Sequence, residues 1–164
     1  MSIQIRKARP ADLDSLADLF NLYRIFYRKP EDLPGARRFL QERMERNESV
    51  VFVAEGDSKL VGFTQLYPQF SSTRMKRSWL LNDLYVVKEY RGRGISKKLI
   101  TEAKQLARET GSAGLLLETE KKNTIGNRLY PSAGFRPYDD CNFYWWESDA
   151  GQAAVSRASP EPAS

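Results

Sequence analysis

Ile3 and Ile5 alternate with polar neighbours, a period of two that predicts a first strand. The period then changes. Leu13, Leu16, Leu19, Phe20 and Tyr23 recur at helical spacing behind Asp12, a residue suited to cap a helix start, and the apolar face runs on through Phe26 and Tyr27. Phe26 reads as a core residue. Pro30 and Pro34 interrupt the pattern and predict a loop. A second helix over 35–49 carries only Phe39, Leu40 and Met44 as apolar positions. Two apolar runs at 50–56 and 60–70, joined by the turn "DSK", predict a hairpin, with Gly62 inside its second strand.

After a polar loop at 71–77, "SWLLNDLYVVKEY" predicts a strongly apolar, central strand over 78–90. An amphipathic helix follows, with Ile95, Leu99, Ala103, Leu106 and Ala107 on one face and Gly111 closing it. "AGLLLETE" at 113–120 fits a buried helical piece by periodicity alone, but its shortness and the glycine inside it favour a strand. A helix over 124–130 should close at Pro131, and 136–148 should form a final strand. The predicted fold class is therefore α/β (α+β): a mixed, largely antiparallel central sheet flanked by helices, with one parallel crossover. It occupies 1–147. The small, polar, proline-containing stretch 148–164 reads as a disordered tail.

A chain of 164 residues suffices for one domain. The net charge of +5 favours anionic partners modestly, but it is scattered: it suits solubility first and does not establish a nucleic-acid surface, while leaving nucleic-acid and phosphate-ligand readings open. No run of eighteen apolar residues suggests a membrane span, and "MSIQIRKARP" lacks the apolar core of a signal peptide, so a cytoplasmic location is expected. The single cysteine, Cys141, reads as a buried or half-buried structural residue. There is no histidine, which excludes Ser-His-Asp and Cys-His catalysis and histidine-based zinc sites. No metal is expected. Any general base must be a carboxylate, tyrosine, lysine or water.

The segment "YRGRGISKKLI" lies between the central strand and its helix. Gly92 and Gly94 allow unusual backbone angles and close ligand approach. A helix starting near Ile95 presents unpaired N–H groups and the positive end of its dipole, which favour a phosphate. Arg91 and Arg93 add charged donors. On chemistry alone, a tight turn with solvated arginines fits equally well. The segment matches neither the Walker pattern nor the dinucleotide fingerprint, since no third glycine follows.

"LLNDLYVVKEYRGRGISKKLI" resembles the acetyl-CoA-binding core of the GNAT superfamily of N-acetyltransferases. The signature (Q/R)-x-x-G-x-(G/A) reads here Arg91, Gly92, Arg93, Gly94, Ile95, Ser96, with serine in place of the last small residue. "NTIGNRLYPSAGF" resembles the family's N-x-x-A-x-x-L-Y-x-x-x-G-F through Asn123, Gly126, Leu129, Tyr130, Gly134 and Phe135. The phrase "NDLYV" is more weakly similar to the polyamine and diamine acetyltransferase branch, with Asn82 where that branch has glutamate.

The resemblance implies direct transfer of acetyl from acetyl-CoA to a primary amine. It places the cosubstrate's pyrophosphate on the amides from Arg91 to Ser96, and its pantetheine arm or thioester on backbone N–H groups near Val86 and Val87, on a bulged strand. Asn123 would bind the arm or set the next helix. Tyr130 would serve as general acid; the alternative is that it packs its helix on the sheet. Asp83, a carboxylate in an apolar strand, is the first candidate for the base, with cation binding or a structural hydrogen bond as alternatives. Glu118 and Glu120 alternate with Leu117 and Thr119 and so share a face.

Tyr23, Tyr27 and Glu31 could line an amine groove, since aromatic faces attract cations. Trp79, Trp145 and Trp146 could serve core, groove or interface; two adjacent tryptophans on one strand cannot both point inward, and the family makes a homodimer plausible. A small-molecule amine is the expected acceptor. A protein or peptide amine, or an acyl-CoA sensor without chemistry, are the alternatives.

Overall fold

The structure, a computed structural model, describes residues 2–150. Strand β1 (Ile3–Lys7) leads through a short 3-10 turn into helix α1 (Leu13–Phe26), followed by α2 (Leu33–Glu45). Strands β2 (Val50–Gly56), β3 (Lys59–Ser71) and β4 (Lys76–Val86) form a meander. Helix α3 (Ile95–Glu109), the short β5 (Leu115–Leu116) and α4 (Thr124–Ser132) complete the described elements. The sheet order is β1-β2-β3-β4-β5; the first four strands are antiparallel, and β5 joins β4 in parallel after the α3 crossover.

Alternation along the strands divides the core in two. Val53 and Phe63 face α1 and α2, where they meet Leu16, Leu19, Phe20 and Leu40. Leu66, Trp79 and Leu81 face α3, where they meet Ile100 and Ala103. Leu129, Tyr130 and Phe135 pack against this second layer and bring α4 to it. Trp79 is thus a core residue, and its indole N–H donates to Thr110 Oγ1 at 2.9 Å.

Several expectations are corrected. No strand forms over 136–148: Phe143, Tyr144, Trp145 and Trp146 are all exposed, the last two by 86% and 83%. Cys141 is exposed as well. The anticipated loop at 71–77 shrinks to a turn at 72–75, because its outer residues extend the β3–β4 hairpin (Ser71 pairs with Lys76, Phe70 with Arg77). Pro131 lies inside α4 rather than beyond it, near enough to the end for the helix to finish one residue later. Phe26 is half exposed rather than core, with the Arg91 guanidinium 5.8 Å from its ring. Asp12 does stand at the α1 cap position, but its side chain caps nothing there and holds Arg6 instead. Of the expected tail at 148–164, residues 151–164 lie outside the described residues.

Candidate active site

The site originates in one irregularity of β4. Gln65 pairs with Asp83, but the next residue of β3, Leu66, pairs with Leu81. Asn82 is therefore the extra residue of a bulge, which bends the strand and reverses the parity of everything after it. Before the bulge, Trp79 N–H donates to Gly114 O at 3.1 Å, on the β5 side. After it, Val87 N–H donates to Val61 O at 3.0 Å, on the β3 side. Since N–H groups alternate between the edges of a strand, Leu84 and Val86 present theirs on the side of β5. Strand β5 has no pairing with β4 beyond Leu80 and Leu116, so among the described residues the edge is open there. Of the two valines anticipated as backbone donors, Val87 is thus committed to the sheet and Val86 faces the gap. Leu84 joins it, a residue that sequence reasoning missed because only the bulge sets its direction.

Below the gap lies the loop from Arg91 to Ser96. Gly92 and Gly94 have φ of 75° and 74°, in the left-handed region, and an added Cβ at either would meet nothing within 4 Å. Gly94 is the N-cap of α3 and no side chain caps this end. The first helical bond runs from Lys98 N to Gly94 O, so Ile95, Ser96 and Lys97 direct N–H groups out of the helix end. Ile95 is buried in the core and Ser96 is half-buried, which anchors the turn. The two arginines are not loose. Arg91 Nε donates to Val86 O at 2.8 Å and its guanidinium lies 5.5 Å from the Tyr85 ring; Arg93 bonds Glu89 O at 3.2 Å and covers Tyr90. An open backbone edge continuous with an anion-binding helix start fits an extended, phosphorylated thioester such as acetyl-CoA.

Beside the same edge is a cleft of about 380 Å³. Tyr23 and Tyr27 line it from the end of α1, Asn82 and Leu84 from β4, Glu118, Thr119 and Glu120 from the segment after β5, and Tyr130 from α4. The structure thus brings together Tyr23, Tyr27, Asn82, Glu118 and Tyr130. Glu31 is left out: it lies exposed on the α1–α2 loop, outside the cleft lining. Asn123 also stands back, as the N-cap of α4. Its Oδ1 accepts from Gly126 N–H at 3.0 Å and its Nδ2 donates to Thr119 Oγ1 at 2.9 Å, so it fixes α4 against the cleft wall. Glu120 is held by Arg28, an ion pair spanning from the α1–α2 loop to the β5 side, with Lys122 at 3.8 Å. A second hollow, of about 310 Å³, has its charges spent internally: Arg6 binds Asp12 at 2.7 Å and Glu55 at 2.8 Å.

Asp83 is 2% exposed and does not line the cleft itself. Gln65 Nε2 donates to its Oδ2 at 2.7 Å and Asn82 Nδ2 to its Oδ1 at 3.0 Å. The Tyr23 hydroxyl, which does line the cleft, reaches Asn82 O at 3.3 Å and stands beside the Asp83 carboxyl. Burial raises the Asp83 pKa above the ordinary 3.8, against the lowering effect of the hydrogen bonds from Gln65 and Asn82 and of the adjacent Tyr23 hydroxyl. Tyr23 is pushed far above its usual value, first by burial and then by Asp83. Tyr130 is pushed up to about 12, by burial and then by the neighbouring Tyr27. Its ring meets Phe135 edge-on at 5.9 Å. Both phenols therefore stay protonated at neutral pH. Gln65 was also missed, although a signal existed: it shares parity with buried Phe63, so a polar side chain was due on a buried face.

The family described as Acetyltransferase (GNAT) matches residues 16–135. The chain is 45% identical over 133 residues to the uncharacterised N-acetyltransferase YhfO of Bacillus subtilis, covering 81% of this chain and 89% of that one. A crystal structure of a probable acetyltransferase superposes with a TM-score of 0.85 at 39% identity, covering 89% of this chain and 98% of that chain. More distantly, the spermidine N(1)-acetyltransferase of Thermoplasma acidophilum is 27% identical over 153 residues, 85% of this chain and 91% of that one.

Proposed function

Because the chain belongs to the GNAT family of acetyltransferases and uses acetyl-CoA as its cosubstrate, we propose that it acetylates the primary amine of a small cationic molecule bound in the cleft beside the β4 bulge. The observation that carries this reading is the cleft lining. Two tyrosines, Asn82, two glutamates and Tyr130 converge next to the open backbone edge. Aromatic faces and carboxylates both favour a cation. The likeness to a spermidine acetyltransferase supports a polyamine-like acceptor, although Asn82 replaces the glutamate of that branch.

The roles follow from position. The N–H groups of Leu84 and Val86 face the gap, where they can hold the pantetheine arm and the thioester carbonyl; donors aimed at developing negative charge stabilise the transition state more than the ground state. The amides from Gly92 to Ser96 receive the pyrophosphate. An alkylammonium has a pKa near about 10.4 and must lose a proton before it attacks. Asp83 takes that proton through Tyr23, whose hydroxyl turns from its long contact with Asn82 O to donate to the carboxylate while accepting from the amine. The amine nitrogen then bonds to the acetyl carbon, the carbon–sulfur bond breaks with Tyr130 O–H giving its proton to the departing thiolate, and the acylated nitrogen sheds its second proton to water, from which Tyr130 is reprotonated. A homodimer, supported by the exposed aromatic run Phe143–Trp146 and by the outer edge of β5, unpaired among the described residues, belongs to the same reading; sedimentation of the purified protein tests it. Among the described residues no helix is long and apolar enough to cross a membrane. The lone, exposed Cys141 suits a reducing compartment and hence a cytoplasmic enzyme.

The test is CoA release against polyamines, amino acids, aminoglycosides and peptides. The expected result is transfer to a small cationic amine, with Tyr130→Phe lowering kcat by about 10- to 100-fold and leaving acetyl-CoA affinity unchanged. Transfer to peptides alone would overturn the acceptor class, and full activity in the phenylalanine variant would remove Tyr130 as the acid.

A further inference from the structure

Gln65 holds a buried polar side chain that the roles described above leave partly unused. Gln65 is wholly buried in β3, directly opposite Asp83 at the residue where the β3–β4 register shifts. Its amide nitrogen is spent on Asp83 Oδ2 at 2.7 Å, but among the described residues its Oε1 has no partner, and it is shut off from solvent. Buried polar groups are nearly always satisfied, so an amide kept here with half its capacity unused calls for a reason. The neighbour supplies one. The other groups facing Asp83 are Tyr23 from α1, Asn82 from its own strand and Tyr67 along β3, with Arg43 of α2 acting on Tyr67. Among these described neighbours no cation hydrogen-bonds the carboxyl, which is why burial dominates its titration. A carboxylate needs donors, whereas a carboxylic acid needs an acceptor for its own proton. A glutamine side-chain amide offers both, on opposite sides of one rotatable bond.

We propose that Gln65 is a positioning residue for Asp83, its NH2 group donating to the carboxylate and, with the amide turned over, its Oε1 accepting the proton of the acid. Asp83 then changes charge without a change of place, and the otherwise idle Oε1 is used in the protonated state. The inference rests on Asp83 being the base of the proposed transfer. Gln65 does not touch the amine; it acts through Asp83, which in turn acts through Tyr23. A hydrophobic residue at this position would fill the same space but would serve neither form of the carboxyl.

NMR titration of the full chain, labelled at Asp side-chain carbons and Gln side-chain nitrogens, tests the pair without acetyl-CoA or amine present. Asp83 should titrate above the ordinary carboxylate value of 3.8, and the Gln65 NH2 signals should shift with the same midpoint. In Gln65→Met both bonds are lost, but the charge-assisted one to the carboxylate is the stronger, so the Asp83 midpoint should rise by about one pH unit, a tenfold change in proton affinity. The acidic limb of kcat/KM for the amine should move by the same amount. In the isosteric Gln65→Glu, two carboxyls share one site and the first proton they take up should bind more tightly still, giving the pair one strongly raised midpoint. A Gln65 NH2 signal that stays flat while Asp83 titrates overturns the proposal, and this arm needs no variant to fold. So does a methionine variant with lowered thermal stability but an unmoved Asp83 midpoint and acidic limb, since that is the signature of packing alone. Joint titration of Gln65 and Asp83 with no matching limb in kcat/KM upholds the pairing and overturns Asp83 as the base.

Discussion

Leu81 and Asp83 are two residues apart on β4, yet they leave the sheet on opposite faces: Leu81 packs in the layer of Ile100 and Ala103, while Asp83 meets Gln65 and Tyr23 on the α1 side. Asn82, unpaired at the bulge, makes the difference. Its side chain is exposed and contributes one 3.0 Å bond to Asp83. Asn82→Ala should therefore cost less than about 1 kcal/mol in urea denaturation, and transfer activity should persist. Deleting Asn82 restores plain alternation and drives the carboxyl or Leu81 onto the wrong face, at a cost of at least about 2 kcal/mol with loss of transfer. A deletion variant that keeps its stability and rate would refute the role given to the bulge.

Asp83→Asn should separate stability from activity. The folded pKa of Asp83 is raised above 3.8, so its stabilising contribution is complete below that value and is lost as pH rises through the folded pKa. Asparagine stays neutral throughout. The variant should match the wild type below the ordinary value and become more stable above it, by roughly 1–3 kcal/mol once the wild-type carboxyl has ionised. Its kcat/KM should fall by about 100-fold. Thermal melts across pH, paired with kinetics, check both; a variant less stable at alkaline pH would contradict the assigned direction.

Gly94→Ala addresses the donor loop. The residue has φ of 74° and open space where a Cβ would project, so the cost to folding is the left-handed backbone alone, roughly 1–2 kcal/mol. The methyl group extends from the uncapped start of α3, where the pyrophosphate is expected. Acetyl-CoA affinity measured by calorimetry should drop by about tenfold or more, against a melting temperature lowered by only a few degrees. Equal affinity in the variant would move the pyrophosphate elsewhere.

The Arg28–Glu120 pair ties the α1–α2 loop to the opposite wall of the cleft, with Arg28 exposed and Glu120 half-buried. Arg28→Ala should change stability by less than about 1 kcal/mol. It should also release Glu120 to the acceptor, lowering KM for a cationic amine by about two- to fivefold at low salt and hardly at all at high salt. A KM that rises in the variant would show that Arg28 itself contacts the acceptor.

Much of this architecture was legible in the chain. Period-two and helical spacing located β1, α1, the β2–β3 hairpin, β4 and α3, because each element buries one face and the pattern of apolar residues reports that face. Gly92 and Gly94 could be read as a phosphate turn because their freedom at positive φ is a property of the residue itself. The run at 136–148 misled for the same reason the others succeeded: alternation and aromatic content describe a strand in search of an edge, and they do not say whether an edge is taken.

What the amino-acid sequence determined by itself was therefore local: which segments bury a face, where the backbone must turn, and which side chains are candidates for chemistry. Tertiary structure alone decided how those groups combine. Pairing with β3 places the extra residue at Asn82, and from that single offset follow the burial of Asp83, its meeting with Gln65, and the open edge at Leu84 and Val86. Register is a relation between two strands, so neither strand's sequence contains it. The distance from Tyr130 to Tyr23 along the chain is likewise silent about their sharing one cleft, since it is the α3 crossover and the packing of α4 that bring them together.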